Sequence, residues 1–513
     1  MNTVKKIVIV GGGSAGWMSA LILADTLAAK GTEIVLLESP TVGVIGVGEG
    51  STPALKRFFD SLKIDESEWM PQCNATYKSG ITFDGWSIKP GFSSYFHKFS
   101  SMVDNLTQPV FIGNVHARLQ GVDVHAHPDE FFLSHALVRG KLAPVTSENF
   151  PFDPIYGYHF DAALLGKFLH RKALERGVRY QSCHVTHATL DAAGNIDAVH
   201  VQDGEAIKAD LFIDCSGFSA LLIDKALGTP FISYSNVLFN DAAVAMPTPM
   251  SGPIAPHTVS SAMKNGWAWE IPLTNRYGNG YVYSSRYCSA DEAETELRAK
   301  LGLLDADVGA RHLKMKIGRV ERHWNRNCVA VGLSQGFLEP LEATALYLTQ
   351  ITVALFALIV DKGDFGEGAR EVYNDEVNAF FDGHRDYIVA HFKTSSRTDT
   401  EFWRDNTSQL DSMSESLKSI FGTWLQAQDL SAELARQDIE RYYNAGSWYS
   451  LMAGMGVFPP VRPGSADAGV NARQRREMQE FLRRCALNFR DHRQVLDELA
   501  AAPARAPARV ATM

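Results

Sequence analysis

The run Lys6-Ile-Val-Ile-Val10, followed at once by Gly11-Gly12-Gly13-Ser14-Ala15-Gly16, constrains the fold of this chain more than any other feature. A short β-branched strand feeding a Gly-x-Gly-x-x-Gly turn and then a helix opens a Rossmann-type β-α-β unit, and so an α/β fold. Each glycine has a separate steric task. Gly11 permits the tight turn, Gly13 lets the backbone approach a pyrophosphate, and Gly16 lets the helix pack closely on the strand. The first amides of the helix, at Ser14 and Ala15, are free to face phosphates. The helix reads over residues 14–29, and Glu33–Glu38 is the second strand. Glu38 closes it 22 residues after Gly16, where a carboxylate accepts hydrogen bonds from a ribose.

Two later strands choose between dinucleotides. Residues 209–215 read as a buried strand, with an apolar Leu211-Phe-Ile213 centre, that runs into Ser216-Gly217; Cys328-Val-Ala-Val-Gly-Leu-Ser334 is similar, with Gly332 and Leu333 at its end. Glycine-ended strands that return to the cofactor are what a flavoprotein adds to a Rossmann start. A plain NAD dehydrogenase does not need them, so FAD is favoured. Residues 41–53 form a glycine-rich loop, with a helix expected over 54–62. A helix over 162–176 closes at Gly177, and a hairpin turns at Ala193-Gly-Asn195.

A chain of 513 residues predicts two or three packed lobes. We divide it into an FAD-binding module with inserted sheet segments (1–345), a mostly helical substrate-binding subdomain (346–497) and a disordered tail (498–513). The net charge of -9, from 58 acidic and 49 basic residues, gives no support for a nucleic-acid partner. The six cysteines include no Cys-x-x-Cys pair and read as reduced thiols rather than a disulfide frame or metal site. The apolar stretch at residues 345–360 reads as too short to span a bilayer. The start of the chain carries no signal-peptide pattern. These readings predict a cytoplasmic protein without a membrane partner.

Trp267-Ala-Trp-Glu-Ile-Pro272 spends two large aromatics at spacing two, which on a strand places both rings on one face. Such a pair either packs a core or walls a passage. In Gly336-Phe-Leu-Glu-Pro-Leu-Glu-Ala-Thr344, Pro340 suits the first turn of a helix, and acidic residues there suit its dipole. Glu339 and Glu342 thus read either as helix-start residues or as a carboxylate facing a pocket. Lys78, and His97 between aromatics in Tyr95-Phe-His-Lys-Phe99, are ordinary residues when taken alone.

Together these segments resemble the flavin-dependent halogenases of the tryptophan halogenase family, over residues 1 to about 405. The resemblance takes in the fingerprint, Gly46-Val-Gly-Glu-Gly50, Lys78, Tyr95–Phe99, Asp210–Gly217, Phe337–Thr344 and Arg397-Thr-Asp-Thr-Glu-Phe-Trp403. Its specific element is Trp-x-Trp-x-Ile-Pro, which in the family separates halogenases from related monooxygenases. The resemblance implies a flavin monooxygenase-like fold in which Glu49 joins the cofactor residues. It implies that FADH2 and oxygen convert chloride or bromide to hypohalous acid, with the halide at Thr344 and Ala345. A tunnel lined by Trp267, Trp269, Ile271 and Pro272 then leads to Lys78. There Glu342 takes a proton from an electron-rich aromatic, an indole or tryptophan, held among His97, Phe99 and Trp448.

Where many family members read Glu-Ser-Thr-Gly, this chain has Glu342-Ala343-Thr344-Ala345, which raises the expectation of bromide over chloride. Arg441-Tyr-Tyr-Asn-Ala-Gly-Ser-Trp448 supplies aromatics but no clear amino-acid clamp. Without a second fingerprint for NAD(P)H, a separate flavin reductase is the implied partner; a homodimer is compatible with the reading. Two alternatives remain at this stage. An FAD aromatic monooxygenase would give hydroxylated product, and a non-catalytic flavin-binding protein would have no use for Lys78 and Glu342 together.

Overall fold

In the computed structural model, which describes residues 4–43, 48–146, 150, 153–465 and 468–501, the chain is mixed α/β. Strand Lys6–Val10 sits inside a six-stranded sheet, flanked in parallel by Glu33–Glu38 and Leu211–Asp214. Arg179–Ser182 and Cys328–Ala330 extend it in parallel, and only Trp324–Asn325 at one edge is antiparallel. This is the doubly wound start that the fingerprint predicts. Both strands beside Lys6–Val10 point their C-terminal ends the same way, so the glycine turn, Glu38 and Ser216 gather at one rim.

A second sheet has seven strands, in the order Arg311–Lys314, Ala242–Pro249, Arg276–Tyr283, Gly266–Pro272, Thr258–Met263, Gly80–Asp84, Ser94–Lys98. It carries the tryptophan motif at its centre. Trp267 pairs with Val282 and Trp269 with Gly280. Any side chain at Gly280 would collide with the Trp269 ring, so the partner strand leaves the space that this indole fills. A small sheet of Gly48–Gly50, Gly157–Asp161 and Thr76–Lys78 brings Glu49 and Lys78 onto strands on either side of a shared neighbour. Residues 44–47 of the glycine-rich loop lie outside the described residues.

Beyond residue 344 the chain is mostly helical, as expected, though strand Phe489–Asp491 returns to pair with Leu142–Thr146. One core joins the parts, holding Trp17 of the first helix, Trp267 of the central sheet, and Phe381 and Trp448 of the helical region.

Three expectations need correction. The apolar helix runs over Ala345–Lys362, 18 residues, so by length and composition it is long enough to cross a membrane. It packs instead against Ser14–Leu27 and Glu367–Thr394, burying Thr349 and Thr352. Pro340 opens a separate 3-10 turn, Pro340–Glu342, and Ala343 takes a left-handed φ of 57° before the long helix begins. The terminal helix His492–Ala501 extends past residue 498, where a disordered tail is expected; residues 502–513 lie outside the described residues.

Candidate active site

One cavity of about 830 Å³ runs from the fingerprint to Lys78. Its cofactor end is lined by Gly11, Gly13, Ser14, Ala15, Glu38, Glu49, Gly332 and Leu333. Gly13 has open space where a Cβ would be, so a phosphate can approach its backbone, whereas a Cβ at Gly11 would strike the Cys215 carbonyl. Gly16 is not in the wall; a Cβ there would strike the Gly11 carbonyl, which makes it the packing glycine. The volume, the bare glycine rim and the carboxylate at Glu38 fit a dinucleotide flavin. Burial, reinforced by the charge of Asp161, pushes the Glu49 carboxyl up to about 7.

Trp267, Trp269 and Ile271 line the same cavity, while Pro272 does not. The two indoles lie on one face, with ring centroids 6.3 Å apart. Both rings thus belong to the wall of the cavity as well as to the core. Trp267 Nε1 donates to Glu339 Oε2 at 3.0 Å, and Asn240 Nδ2 donates to the same oxygen at 2.8 Å. Glu339 is fully buried, and its desolvated carboxyl is pushed up to about 7, with Asn240 and Trp267 opposing. Glu339 precedes the Pro340–Glu342 turn, but its side chain does not cap it and instead anchors the first tryptophan.

Thr344 and Ala345 line the cavity at the start of the long helix, which has no side-chain cap. That is a general anion position.

Lys78 is fully buried, and its Nζ has no hydrogen-bond partner among the described residues. Phe99 presents its ring 5.5 Å away. Burial lowers the amine from 10.5 to about 7, against the opposing pull of the Glu342 charge. Glu342 is also buried, which pushes its carboxyl up. His97 and His391 outweigh this and hold it at about 2, so it is a carboxylate. His97 Nδ1 lies 3.0 and 2.9 Å from the two Glu342 oxygens and donates to them. His391 Nε2 meets Oε1 at 3.0 Å as an ion-pair contact. His97 Nε2 continues to Ser447 Oγ at 3.0 Å.

The structure thus brings Lys78, Phe99, Glu342 and His97 together. Glu342, His97, Phe99 and Trp448 do not line the large cavity but stand behind its lysine end, and Trp448 is a further layer away, edge-on to Tyr387 at 4.9 Å. Sequence reading missed His391 and Ser447. His391 had a findable signal, since His384, Tyr387 and His391 recur at helical spacing on the buried face of Glu367–Thr394. Ser447 had none. No cluster that would hold a metal ion occurs among the described residues.

Comparison with known proteins finds relatives along most of the chain. A family model described as tryptophan halogenase matches residues 6–468. The chain is similar to tryptophan 6-halogenase SttH of Streptomyces toxytricini, 36% identical over 488 residues that cover 88% of this chain and 89% of that one. It is also similar to tryptophan 7-halogenase KtzQ of Kutzneria sp., 39% identical over 422 residues, 79% of this chain and 78% of the other. The solved structure of SttH superposes with a TM-score of 0.83 at 33% identity, covering 97% of this chain and all (100%) of that chain. BrvH, a flavin-dependent halogenase from Brevundimonas sp. BAL3, does so with a TM-score of 0.81 at 30% identity, covering 97% and 99%.

Proposed function

This chain belongs to the tryptophan halogenase family, and we propose that it is a two-component flavin-dependent halogenase acting on an indole, either tryptophan or a simpler one. The observation that carries this reading is the cavity itself. It joins a glycine-rimmed cofactor end to a desolvated, unpartnered lysine beside a buried carboxylate.

Gly11, Gly13, Ser14, Ala15, Glu38, Glu49, Gly332 and Leu333 would hold FAD, supplied reduced by a separate flavin reductase. When bound, it supplies the oxygen activation that converts chloride or bromide to hypohalous acid. The amides of Thr344 and Ala345 hold the halide. Trp267, Trp269 and Ile271 form the side of the passage, and their bulk keeps the aromatic substrate from the cofactor end. Lys78 receives the oxidant, since a nitrogen freed from water and from partners can donate to it or carry the halogen. Glu342 faces the cation that develops on the indole and takes its proton. Residues 346–497 supply the substrate side through His391, Tyr387 and Trp448.

The direct test is incubation with a flavin reductase, FAD, NADH and an indole panel, with chloride and bromide in competition, read by mass spectrometry. We expect a halogen isotope pattern on an indole, with bromide incorporated faster. Hydroxylated product without halide dependence would return the chain to monooxygenase chemistry, and faster chlorination would remove the bromide preference.

The tryptophan pair makes a second prediction. Trp267→Phe deletes one of the two donors to the buried Glu339 Oε2, leaving Asn240 as the other, at a cost of about 1 kcal/mol for the lost hydrogen bond. Trp269 Nε1 has no partner to lose. We expect Trp267→Phe to lower the unfolding midpoint more than Trp269→Phe, and hydroxylated indole to appear in the product of at least one. Lost stability with no hydroxylation in either would leave the pair as core packing only.

A further inference from the structure

Three polar side chains close a short chain of hydrogen bonds at the lysine end of the cavity, and their direction is fixed. Thr76 Oγ1 donates to the Pro272 carbonyl at 2.7 Å, which uses its one proton. Thr76 therefore accepts from His159 Nδ1, 3.0 Å away. His159 is fully buried, and burial, with the positive charge of Lys78 next, holds its ring well below the usual histidine range. The ring is neutral, so Nε2 carries no proton and accepts. Thr258 Oγ1, 2.9 Å from Nε2, must then be the donor. Its hydroxyl proton is committed to His159. What Thr258 offers the cavity, which it lines together with Lys78 and Gly50, is a lone pair.

Gly50 lies close to both Thr258 and Lys78. A Cβ there would lie 3.2 Å from Lys78 Nζ, 3.4 Å from His159 Cδ2 and 3.5 Å from Thr258 Oγ1. Gly50 has no left-handed φ, so its backbone does not require glycine. Its missing side chain instead avoids a close contact with the unpartnered, fully buried amine, and Gly50, Lys78 and Thr258 all line the cavity, with the amine and the acceptor-only hydroxyl both within 3.5 Å of the point a Cβ would occupy.

We propose that Gly50, Thr258 and Lys78 form the seat of the small neutral oxidant. The oxidant's O–H is donated to Thr258 Oγ1, its oxygen accepts from Lys78 Nζ, and its halogen is left facing the substrate. A halide ion has no hydrogen to give Thr258 and would meet its lone pair directly, so the seat selects the protonated oxidant over the anion from which it is made. His159 and Thr76 are positioning residues: they act by fixing the Thr258 proton. Because Thr76 ends on the Pro272 carbonyl, the tryptophan motif is tied to the lysine end through its last residue as well as through its rings. This inference rests on the reading in which Lys78 receives the oxidant.

The test compares full-length Thr258→Val, Thr258→Ser and Gly50→Ala proteins with the parent and with Lys78→Ala. Each is supplied with FAD, reductase, bromide and an indole, after flavin binding has been checked by fluorescence. The readouts are halogenated product per reduced flavin consumed and hypohalous acid escaping to a chemical trap in solution. Valine keeps the shape of threonine and removes the acceptor, together with the proton that Thr258 gives His159. We expect Thr258→Val to lower product per flavin about tenfold, the scale of one buried hydrogen bond, with trapped hypohalous acid rising in step. Thr258→Ser should restore most of the product, which a merely structural role for the hydroxyl would not require of the trap signal. Gly50→Ala, by placing a Cβ 3.2 Å from the amine, should lose product in the same way, and it decides the matter should the valine protein fail to fold. Parental coupling in Thr258→Val or Gly50→Ala, with Lys78→Ala inactive, overturns the seat and leaves the lysine reading standing. Parental halogenation by Lys78→Ala overturns both.

Discussion

A Lys78→Met protein is expected to be more stable than the parent and to lose halogenation entirely. The two outcomes have one cause. Lys78 Nζ has been taken out of water without receiving a hydrogen-bond partner, and burial lowers its titration from 10.5 to about 7 even though the Glu342 charge opposes this. In the unfolded chain the amine holds its proton throughout this interval, while in the folded chain it gives the proton up. The unfolded state therefore binds more protons between about 7 and 10.5, and stability rises with pH across that window. The penalty is full below about pH 7 and vanishes above the ordinary lysine range. At pH 7 a depression of this size corresponds to a cost on the order of 4 kcal/mol. Methionine has a similar length and no charge to desolvate, so it recovers most of that cost. Chemical denaturation of both proteins at pH 7 and pH 10 checks the argument. The gain should be large at pH 7 and shrink toward pH 10. Equal stabilities at pH 7, or a gain that is flat with pH, would mean that the lysine is not held dry. A chain that retains so costly a residue does so for chemistry, because packing alone favours the methionine.

The parts of this molecule that were legible in its sequence are those whose physics is local. The glycines at 11, 13 and 16 each answer a steric demand set within a few residues, and the strand, turn and helix around them fall where that demand puts them. Trp267 and Trp269 share a face because a strand alternates, whatever lies opposite. What escaped is contributed by distant segments. Nothing near Glu339 says that an indole 72 residues away donates to it, so its charge read as favouring a helix start. Glu342 owes its low titration to His97, 245 residues earlier, and to His391 on another helix. The start of the long helix was misplaced for a related reason. Pro340 fits a helix start by local rule, but Ala343 adopts a left-handed φ that ends that turn and re-aims the chain, and alanine carries no signal for it. The Thr258–His159–Thr76 chain was invisible because its members come from three strands, and only their pairing shows which atom holds each proton.

Glu342→Gln is expected to leave the fold intact while lowering the rate of halogenation on the order of 10²–10³-fold, the range of a lost general base. The geometry around the carboxylate explains why glutamine is the informative change. His391 Nδ1 donates to the Tyr387 carbonyl at 2.9 Å, so its other nitrogen meets Glu342 Oε1 at 3.0 Å in a contact that needs a proton between the two atoms. His97 donates to the carboxylate from the opposite side. A glutamine can satisfy both, with its oxygen accepting from His97 and its amide donating to His391. Glutamine therefore keeps one hydrogen bond to each histidine, gives up the second His97 contact, and removes the charge and the basicity. Alanine would instead leave one nitrogen of each of two buried histidines without a partner, at a cost of about 1–3 kcal/mol for each unsatisfied group, and would confuse folding with chemistry. The glutamine variant also carries a second readout. Glu342 supplies the charge that raises the Lys78 titration against burial. With that charge gone, burial acts unopposed, and any limb of the halogenation pH profile that reports Lys78 must move from about 7 toward acid. A parental rate in Glu342→Gln would remove Glu342 from proton transfer. A lowered rate with an unmoved limb would separate the carboxylate from the lysine, and the two groups would no longer describe a single site.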